Sequence, residues 1–564
     1  MCGYRVCAIL WIVIGIYVAI YTPFLFLFKN KLTMVRYIIK LGLYSKNNYS
    51  IDSYKGTISQ SLPFTKGSPI YKAWISPIHL TFKCYLFNVT NPDEIMQGSN
   101  PNLDEVGPFA YDEIFEKQII NVDDERDEIV YTTKSTYSFN KHLSLNLSKS
   151  DKVTILNPAY IGTISMANIF LFKLFNHSFH SNLLFLCVIR NCEQNLAGLP
   201  PDFMEKYGDN IPKLFPNHSS IFLKANPNDI LFNGVKVSCN LRKFPELNLV
   251  CKTLKNNQPP VLRKTDKEDS YLLSIFQRIN DTFHGPFSVN RGLKNITRLG
   301  DITSYMGKRV QTVWNSESCN TVKGTDTVTW PPLIEPLPFI STFIHELCRT
   351  VEVDYVGDVS VQGLTGSRFV MKERVWFLNT SQCYCLKVNN VPKCLPQGLI
   401  DVSECQKMPV ILSEPHFLHG DPQLLKYAGG LSPNEEAHST YVIIEPYTGT
   451  PLSGEKKTQL NLYLERQPVE LLSNVSDGYF PLMWCSNGNA PSLAVIGFTY
   501  QTIRLLNVLR YLSIVPLMIG IHLTFVALLY CSCTKRKIGP TFAESLLISS
   551  NSQSDNNTQR LLHA

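Results

Sequence analysis

Apolar and polar positions divide the chain into two flanking runs and one long interior. Val6 to Phe28 carries no charged side chain, and Tyr511 to Tyr530 has only His522 as an ionisable group. At about 1.5 Å per helical residue, each run is long enough to cross a bilayer core. Pro23 and Pro516 are tolerated in such helices. The pattern predicts transmembrane helices over 6–28 and 509–531, short tails over 1–5 and 532–564, and one large domain over 29–508. A cleaved signal peptide is the rival reading of the first run. The run is too long for one, and no small-x-small cleavage site follows it.

Inside the large domain the pattern changes to short runs rich in β-branched and aromatic residues. Leu80–Val89, Ala110–Ile120 and Ile129–Phe139 read as strands. The acidic cluster Asp123 to Glu128 separates two of them. It reads as a solvated hairpin tip rather than a cation site, because no Gly-spaced ligand loop surrounds it. Ile155 to Ile189 is helical and very apolar, but Lys173, Asn176, His177 and His180 interrupt it, so a third span is rejected. Residues 190–270 are irregular and Pro-rich, and strand-like runs return from Phe287 to about Phe498. Strands before and after a helical block predict one mixed α+β domain whose sheet draws on both halves of the chain.

Flanking charges do not orient the anchors: Arg5 and Lys535-Arg536-Lys537 oppose Lys29, Lys31, Arg36 and Arg510. N-glycosylation triplets do. Asn48, Asn88, Asn146, Asn176, Asn217, Asn280, Asn295, Asn379 and Asn474 each head one, and all nine lie between the anchors. Both termini are therefore expected in the cytosol, and the triplet at Asn556 is expected to stay unmodified. Of 16 cysteines, twelve lie between the anchors, where oxidation is permitted. Cys2, Cys7, Cys531 and Cys533 sit at cytosolic membrane edges and are candidates for palmitoylation, against the plainer reading of reduced thiols. Proximity suggests the pairs Cys187–Cys192 and Cys239–Cys251. A net charge of +7 without a dense Lys/Arg block argues against nucleic-acid binding.

Several ordered segments resemble the class B scavenger receptor family, whose members include the fatty-acid translocase, the lysosomal integral membrane protein and insect sensory neuron membrane proteins. They are FNVTNPDEIMQGSNPNLDEVGPFAYDE (Phe87–Glu113), DILFNGVKVSC (Asp229–Cys239), WNSESCNTVKGTD with WPP (Trp314–Pro332), SEPHFLHGDP (Ser413–Pro422), LSPNEEAHSTYVIIEPYTGTPL (Leu431–Leu452) and FPLMW (Phe480–Trp484). The resemblance implies an antiparallel β-barrel ectodomain with an apical helical bundle and an internal apolar tunnel. The cap would fall at about 155–270, where the sequence departs most from the family. The family's cysteine pattern implies Cys319–Cys383, Cys348–Cys405 and Cys385–Cys394; spacing alone leaves 15 connectivities for six cysteines.

The resemblance also implies lipid ligands: fatty acids, sterols, phospholipids or lipoprotein particles, passed through the tunnel to the membrane. Lys173, Lys213 and Lys224 are local candidates for apex ligand contacts, beside the plainer reading of solvated lysines. The alternative function is a lysosomal or endosomal trafficking receptor for a luminal protein bound at the cap. Leu546-Leu547 and Leu561-Leu562 lack an acidic residue four positions upstream, which favours the plasma membrane. His416, His419 and His438, with Asp421 and Glu436, suggest a metal site only superficially, since no H-E-x-x-H spacing is present. No catalytic motif or cofactor signature is found, so neither an enzyme nor a bound cofactor is expected.

Overall fold

Alternation along the strand runs produces a sheet with one face packed inward. In β1 (Ile78–Val89), Phe82, Cys84 and Leu86 are buried while Lys83 and Tyr85 are half-exposed. A bulge between Cys84 and Leu86 breaks the register and lets Phe87 and Val89 turn inward as well. The computed structural model describes residues 62–145, 147–148, 151–165, 208–256, 261–267, 269–332, 337–376, 383–388, 391–489, 499–500, 503–504, 518–526 and 528–529. It divides into two units, Leu62–Ile496 and Met1–Ser61 with Gly497–Ala564.

In the first unit β1 is followed by β2 (Leu103–Asp123) and β3 (Glu128–Phe139). Five short strands come next: β4 (Val153–Leu156), β5 (Phe222–Ala225), β6 (Val235–Ser238), β7 (Leu262–Lys264) and β8 (Ser270–Leu273). The large sheet then resumes with β9 (Thr282–Asn290), β10 (Ile302–Tyr305), β11 (Phe339–Ile344), β12 (Arg349–Val361) and β13 (Leu364–Val370). A small hairpin, β14 (Leu386–Val388) and β15 (Val391–Lys393), precedes β16 (Ile400–Asp401) and β17 (Ile411–Ser413). The last strands are β18 (Tyr441–Glu445), β19 (Thr450–Leu464) and β20 (Gly478–Asn489).

Thirteen of these strands form one antiparallel sheet in the order β10-β9-β3-β2-β1-β20-β19-β18-β13-β12-β11, with β16 and β17 branching from β19. The early and late halves of the chain therefore meet at the β1–β20 pair. The two edges, β10 and β11, are bridged by a short extended segment. Ile302 N donates to Gly324 O (2.7 Å), Thr325 N to Ser341 O (3.0 Å) and Phe343 N to Thr325 O (3.1 Å). The sheet is thus nearly closed into a barrel, an arrangement that leaves little unpaired edge. One hydrophobic core joins β1, β2 and β20 to the segments around β4–β8. A second, containing Trp314, Val351, Phe369 and Trp376, includes Cys319 and Cys385.

The described start of the predicted helical stretch, 158–165, is helical. The cap's described part between 208 and 273, expected to be irregular, is built of short strands, 3-10 turns and one π turn around one α-helix, Asn248–Asn256. One local expectation changes. The acidic tip at Asp123–Glu128 does form the β2–β3 turn, but it is only partly solvated. Asp127 is buried, its Oδ2 accepting the Lys294 N–H (2.9 Å), and Asp124 pairs with Arg291.

The predicted span Val6–Phe28 lies outside the described residues, as do Lys173, Cys187 and Cys192. Of the second span, 518–526 and 528–529 are helical, and Met518, Phe525 and Leu528 are each more than half exposed (59%, 58% and 58%). Among the described residues no helix is long and apolar enough to cross a membrane.

Candidate functional site

The barrel encloses a cavity of about 380 Å³. That volume falls within the range of small-ligand sites. Much of its lining follows from strand alternation: residues of one parity on β2, β3 and β12 point inward. Leu80, Phe115, Val353, Met371, Val442 and Leu452 give it a mostly apolar surface. A second, smaller space of about 70 Å³ lies where Pro158, Ala159 and Leu214 approach Met408, Leu460 and Leu482, and is lined almost wholly by apolar side chains.

The large cavity also holds polar groups at inward-facing positions. Glu113 of β2 accepts hydrogen bonds from Ser135 Oγ (2.5 Å), Tyr137 Oη (3.1 Å) and Asn487 Nδ2 (2.8 Å). Burial pushes its carboxyl above the usual range, and these three donors counter only part of that. At the β11–β12 turn, Glu346 meets Lys456 Nζ at 2.5 Å and His345 Nδ1 at 3.3 Å. Although burial opposes it, His345 and Lys456 hold the Glu346 carboxyl well below the usual range. Burial depresses both the His345 and the His284 imidazole. The turn is fixed from behind by the Cys348–Cys405 disulfide and by Gln406 Nε2, which donates to Glu346 O (2.7 Å).

Disulfides in the structure join Cys319–Cys383, Cys348–Cys405 and Cys385–Cys394, the same partners the resemblance implies, and Cys239–Cys251. A fifth, Cys84–Cys485, was not anticipated. It could have been reached by elimination, since these two are the cysteines between the apolar runs that remain once the ten in the expected pairs are set aside.

The three histidines of the Ser413–Leu452 region are committed to framework hydrogen bonds. Ser432 N donates to His416 Nδ1 (3.1 Å), so His416 Nε2 carries the proton directed at Glu105 (2.6 Å). Trp484 Nε1 donates to the same Glu105 oxygen (2.7 Å). Despite burial, these two donors hold Glu105 below the usual carboxylate range. His419 lies between Glu414 (2.7 Å) and Glu435 (3.0 Å). His438 accepts from Asn434 N (3.0 Å) and stacks on His416 at 4.3 Å. Asp421 accepts from Gln423 N, and Glu436 is exposed.

Of the apex candidates, Lys213 is engaged by Glu246 (2.5 Å) and Asn210 (2.7 Å), whereas Lys224 is exposed on β5. Asn217, Asn295 and Asn474 are exposed. Asn88 and Asn280 are half-buried, their Oδ1 atoms accepting from Thr154 N and Tyr137 N. Asn48, Asn146, Asn176, Asn379, Cys2, Cys7, Cys531 and Cys533 lie outside the described residues. Sequence reasoning missed the polar groups of the cavity. Glu113 was findable, because it shares the inward phase of Tyr111 and Phe115. His345 and Glu346 were not, because a charged pair at a hairpin turn ordinarily reads as solvated.

Comparison with known proteins extends over nearly the same span. A model of the CD36 family matches residues 34–531. Sensory neuron membrane protein 2 of Ostrinia furnacalis is 31% identical over 443 residues, 76% of this chain and 79% of that protein. Sensory neuron membrane protein 1 of Plutella xylostella is 31% identical over 443 residues, 77% of each. Sensory neuron membrane protein 2 of Anopheles gambiae is 28% identical over 510 residues, 84% of this chain and 87% of the relative.

Proposed function

The chain belongs to the CD36 family, and on that premise we propose that it is a scavenger-type receptor that takes up lipid and conducts it through its barrel to the membrane. The observation that carries this reading is the mostly apolar cavity of about 380 Å³ inside the barrel. An acyl chain in water costs about 0.8 kcal/mol per CH₂, so a 16-carbon tail costs on the order of 12 kcal/mol. A conduit lined by Leu80, Val353, Met371 and Leu452 removes most of that cost.

Two anchors, Val6–Phe28 and Tyr511–Tyr530, hold the protein in the plasma membrane with both ends cytosolic. The exposed apolar side chains Met518, Phe525 and Leu528 on the helical part of the second anchor support this, since such a surface needs an apolar surrounding. Glycans on the luminal triplets, and acyl groups on Cys2, Cys7, Cys531 and Cys533, belong to the same topology.

The test is lipid mass spectrometry of the full chain purified in detergent, with Val442→Trp beside it. Val442 lines the cavity, so the indole should displace bound lipid and lower uptake by cells several-fold. Val356→Trp, at an exposed position of β12, serves as the control. Unchanged bound lipid and unchanged uptake in a folded, surface-expressed Val442→Trp protein would defeat the conduit.

A further inference from the structure

The polar groups of the cavity form a continuous belt around its wall. From His284 on β9 the belt passes to His345, whose ring centroid is 6.4 Å away, and then to Glu346 (3.3 Å) and Lys456 (2.5 Å). Lys456 faces Asn487 across β19 and β20, and Asn487 bonds Glu113 (2.8 Å). Glu113 bonds Tyr137 and Ser135 on β3, and Thr133 of the same strand is the register partner of His284. All of these residues line the cavity. A passage for hydrocarbon alone has no use for such a girdle, and burying it carries a cost that hydrogen bonding only offsets.

Charge within and beside the belt is balanced. Glu113 and Glu346 are the carboxylates. Lys456 is paired with Glu346, and Arg278 lies behind the histidines with its guanidinium on Gln406. The neighbouring Asp326 is paired with Lys117 (3.5 Å). Arg278 is not part of the cavity lining, and among the described lining residues the one lysine or arginine, Lys456, is already paired. The accessible members are the ion pair itself: the side chains of Glu346 and Lys456 are 45% and 37% accessible, and His345 35%. An ionised carboxylate would compete with Glu346 for Lys456, leaving one of the two carboxylates without its cation against a mostly apolar wall. A hydroxyl or carbonyl can bond to the open edges of the pair and leave it intact. The belt also has bonding capacity unused, since His284 Nε2 and Asn487 Oδ1 have no partner. Both atoms are covered, so a side-chain rotation is needed to bring either into use.

We propose that this belt reads the head of a lipid held in the cavity, selecting a neutral hydroxyl or carbonyl head over an ionised carboxylate of equal chain length. The inference rests on the conduit reading and adds a ligand class to it. The test measures retention of tritiated hexadecanol, methyl palmitate and palmitate by the full-length protein in detergent, at a pH where palmitate is ionised. The neutral lipids should be retained at least tenfold better than palmitate. Glu346→Gln frees Lys456 from its carboxylate and should reverse that order. Glu113→Gln also removes a negative charge from the belt and carries the test if the first variant does not fold. Equal retention, a preference for palmitate in the unaltered chain, or an unchanged order in both variants overturns the belt proposal and leaves the conduit standing. Retention of none of the three lipids overturns both.

Discussion

Cys84 and Cys485 are disulfide-bonded at facing positions of β1 and β20, 401 residues apart in sequence. The bond closes the seam where the early and late strands of the barrel meet. In the chain-entropy description a cross-link stabilises more as its loop lengthens, reaching about 5 kcal/mol for the longest loops. Replacing both cysteines (Cys84→Ala with Cys485→Ala) should lower the unfolding free energy by roughly 3–5 kcal/mol. Denaturant unfolding of the purified protein under non-reducing conditions measures it, and a loss under about 1 kcal/mol contradicts the role.

That seam also marks the limit of what the residues alone conveyed. The strand runs Leu80–Val89 and Ile129–Phe139 were legible because alternation has a period that a half-buried sheet must obey. Their pairing with distant strands was not, Cys84 facing Cys485 401 residues later and Glu128 facing Asn290 162 residues later (290 − 128), since register across so long a separation is fixed by tertiary packing. The bulge at Cys84–Leu86 escaped for the same reason. In the cap, the apolar stretch read as helix is helical over its described start, 158–165, whereas the part read as irregular, 208–273, holds short strands joined to the barrel core. Periodicity cannot separate short buried strands from helical segments. The belt was hidden because Glu346 and Lys456 are ordinary charged residues until the β11–β12 turn and β19 bring them together at the cavity.

Gly449 explains why a glycine stands in the turn after Glu445. Its φ is +69°, and a Cβ there would lie 1.8 Å from Trp330 O, while Trp330 N donates to Gly449 O at 3.0 Å. Backbone cannot yield as a side chain can, so Gly449→Ala should cost about 3 kcal/mol or more. Gly307 has a similar φ of +72° but nothing near its Cβ position, and Gly307→Ala should cost only about 1 kcal/mol. Melting curves of the two variants test the difference; equal losses would mean that φ alone matters.

Stability should peak near neutral pH. Burial and the stacked His416 push His438 down to about 4, so its neutral ring stabilises the fold fully above the unfolded value near 6.5. That contribution is lost as pH falls from about 6.5 towards 4, at most about 3 kcal/mol. His284 and His345 carry the same sign. His419 carries the opposite one: Glu414 raises it, so its contribution is complete below about 6.5 and lost as pH rises through its raised value. Melting temperature measured from pH 4.5 to 8.5 should show a maximum, with a shallower acid limb in His438→Gln. Superimposable acid limbs in variant and unaltered protein rule His438 out as a contributor.

The Lys117–Asp326 pair predicts an asymmetry between its two members. Their side chains are 2% and 0% exposed, with Nζ 3.5 Å from the carboxylate and 4.4 Å from the Trp74 ring centroid. Asp326 also accepts from Trp74 Nε1 (2.7 Å), Val328 N and Thr329 N (3.0 Å each). Removing the lysine as Lys117→Met leaves the carboxylate with three donors, and should cost only about 1 kcal/mol. Asp326→Ala strands a buried ammonium together with those donors, and should cost roughly 3–5 kcal/mol. Burial already brings Lys117 down to about 8; without Asp326 it falls further. Its charged form is then bound more tightly by the unfolded chain than by the folded one. The stability of Asp326→Ala should therefore rise with pH between neutrality and about 10, where the unfolded lysine still holds its proton. Equal losses in the two variants, or no recovery of Asp326→Ala at alkaline pH, would show that packing rather than charge holds this corner of the barrel.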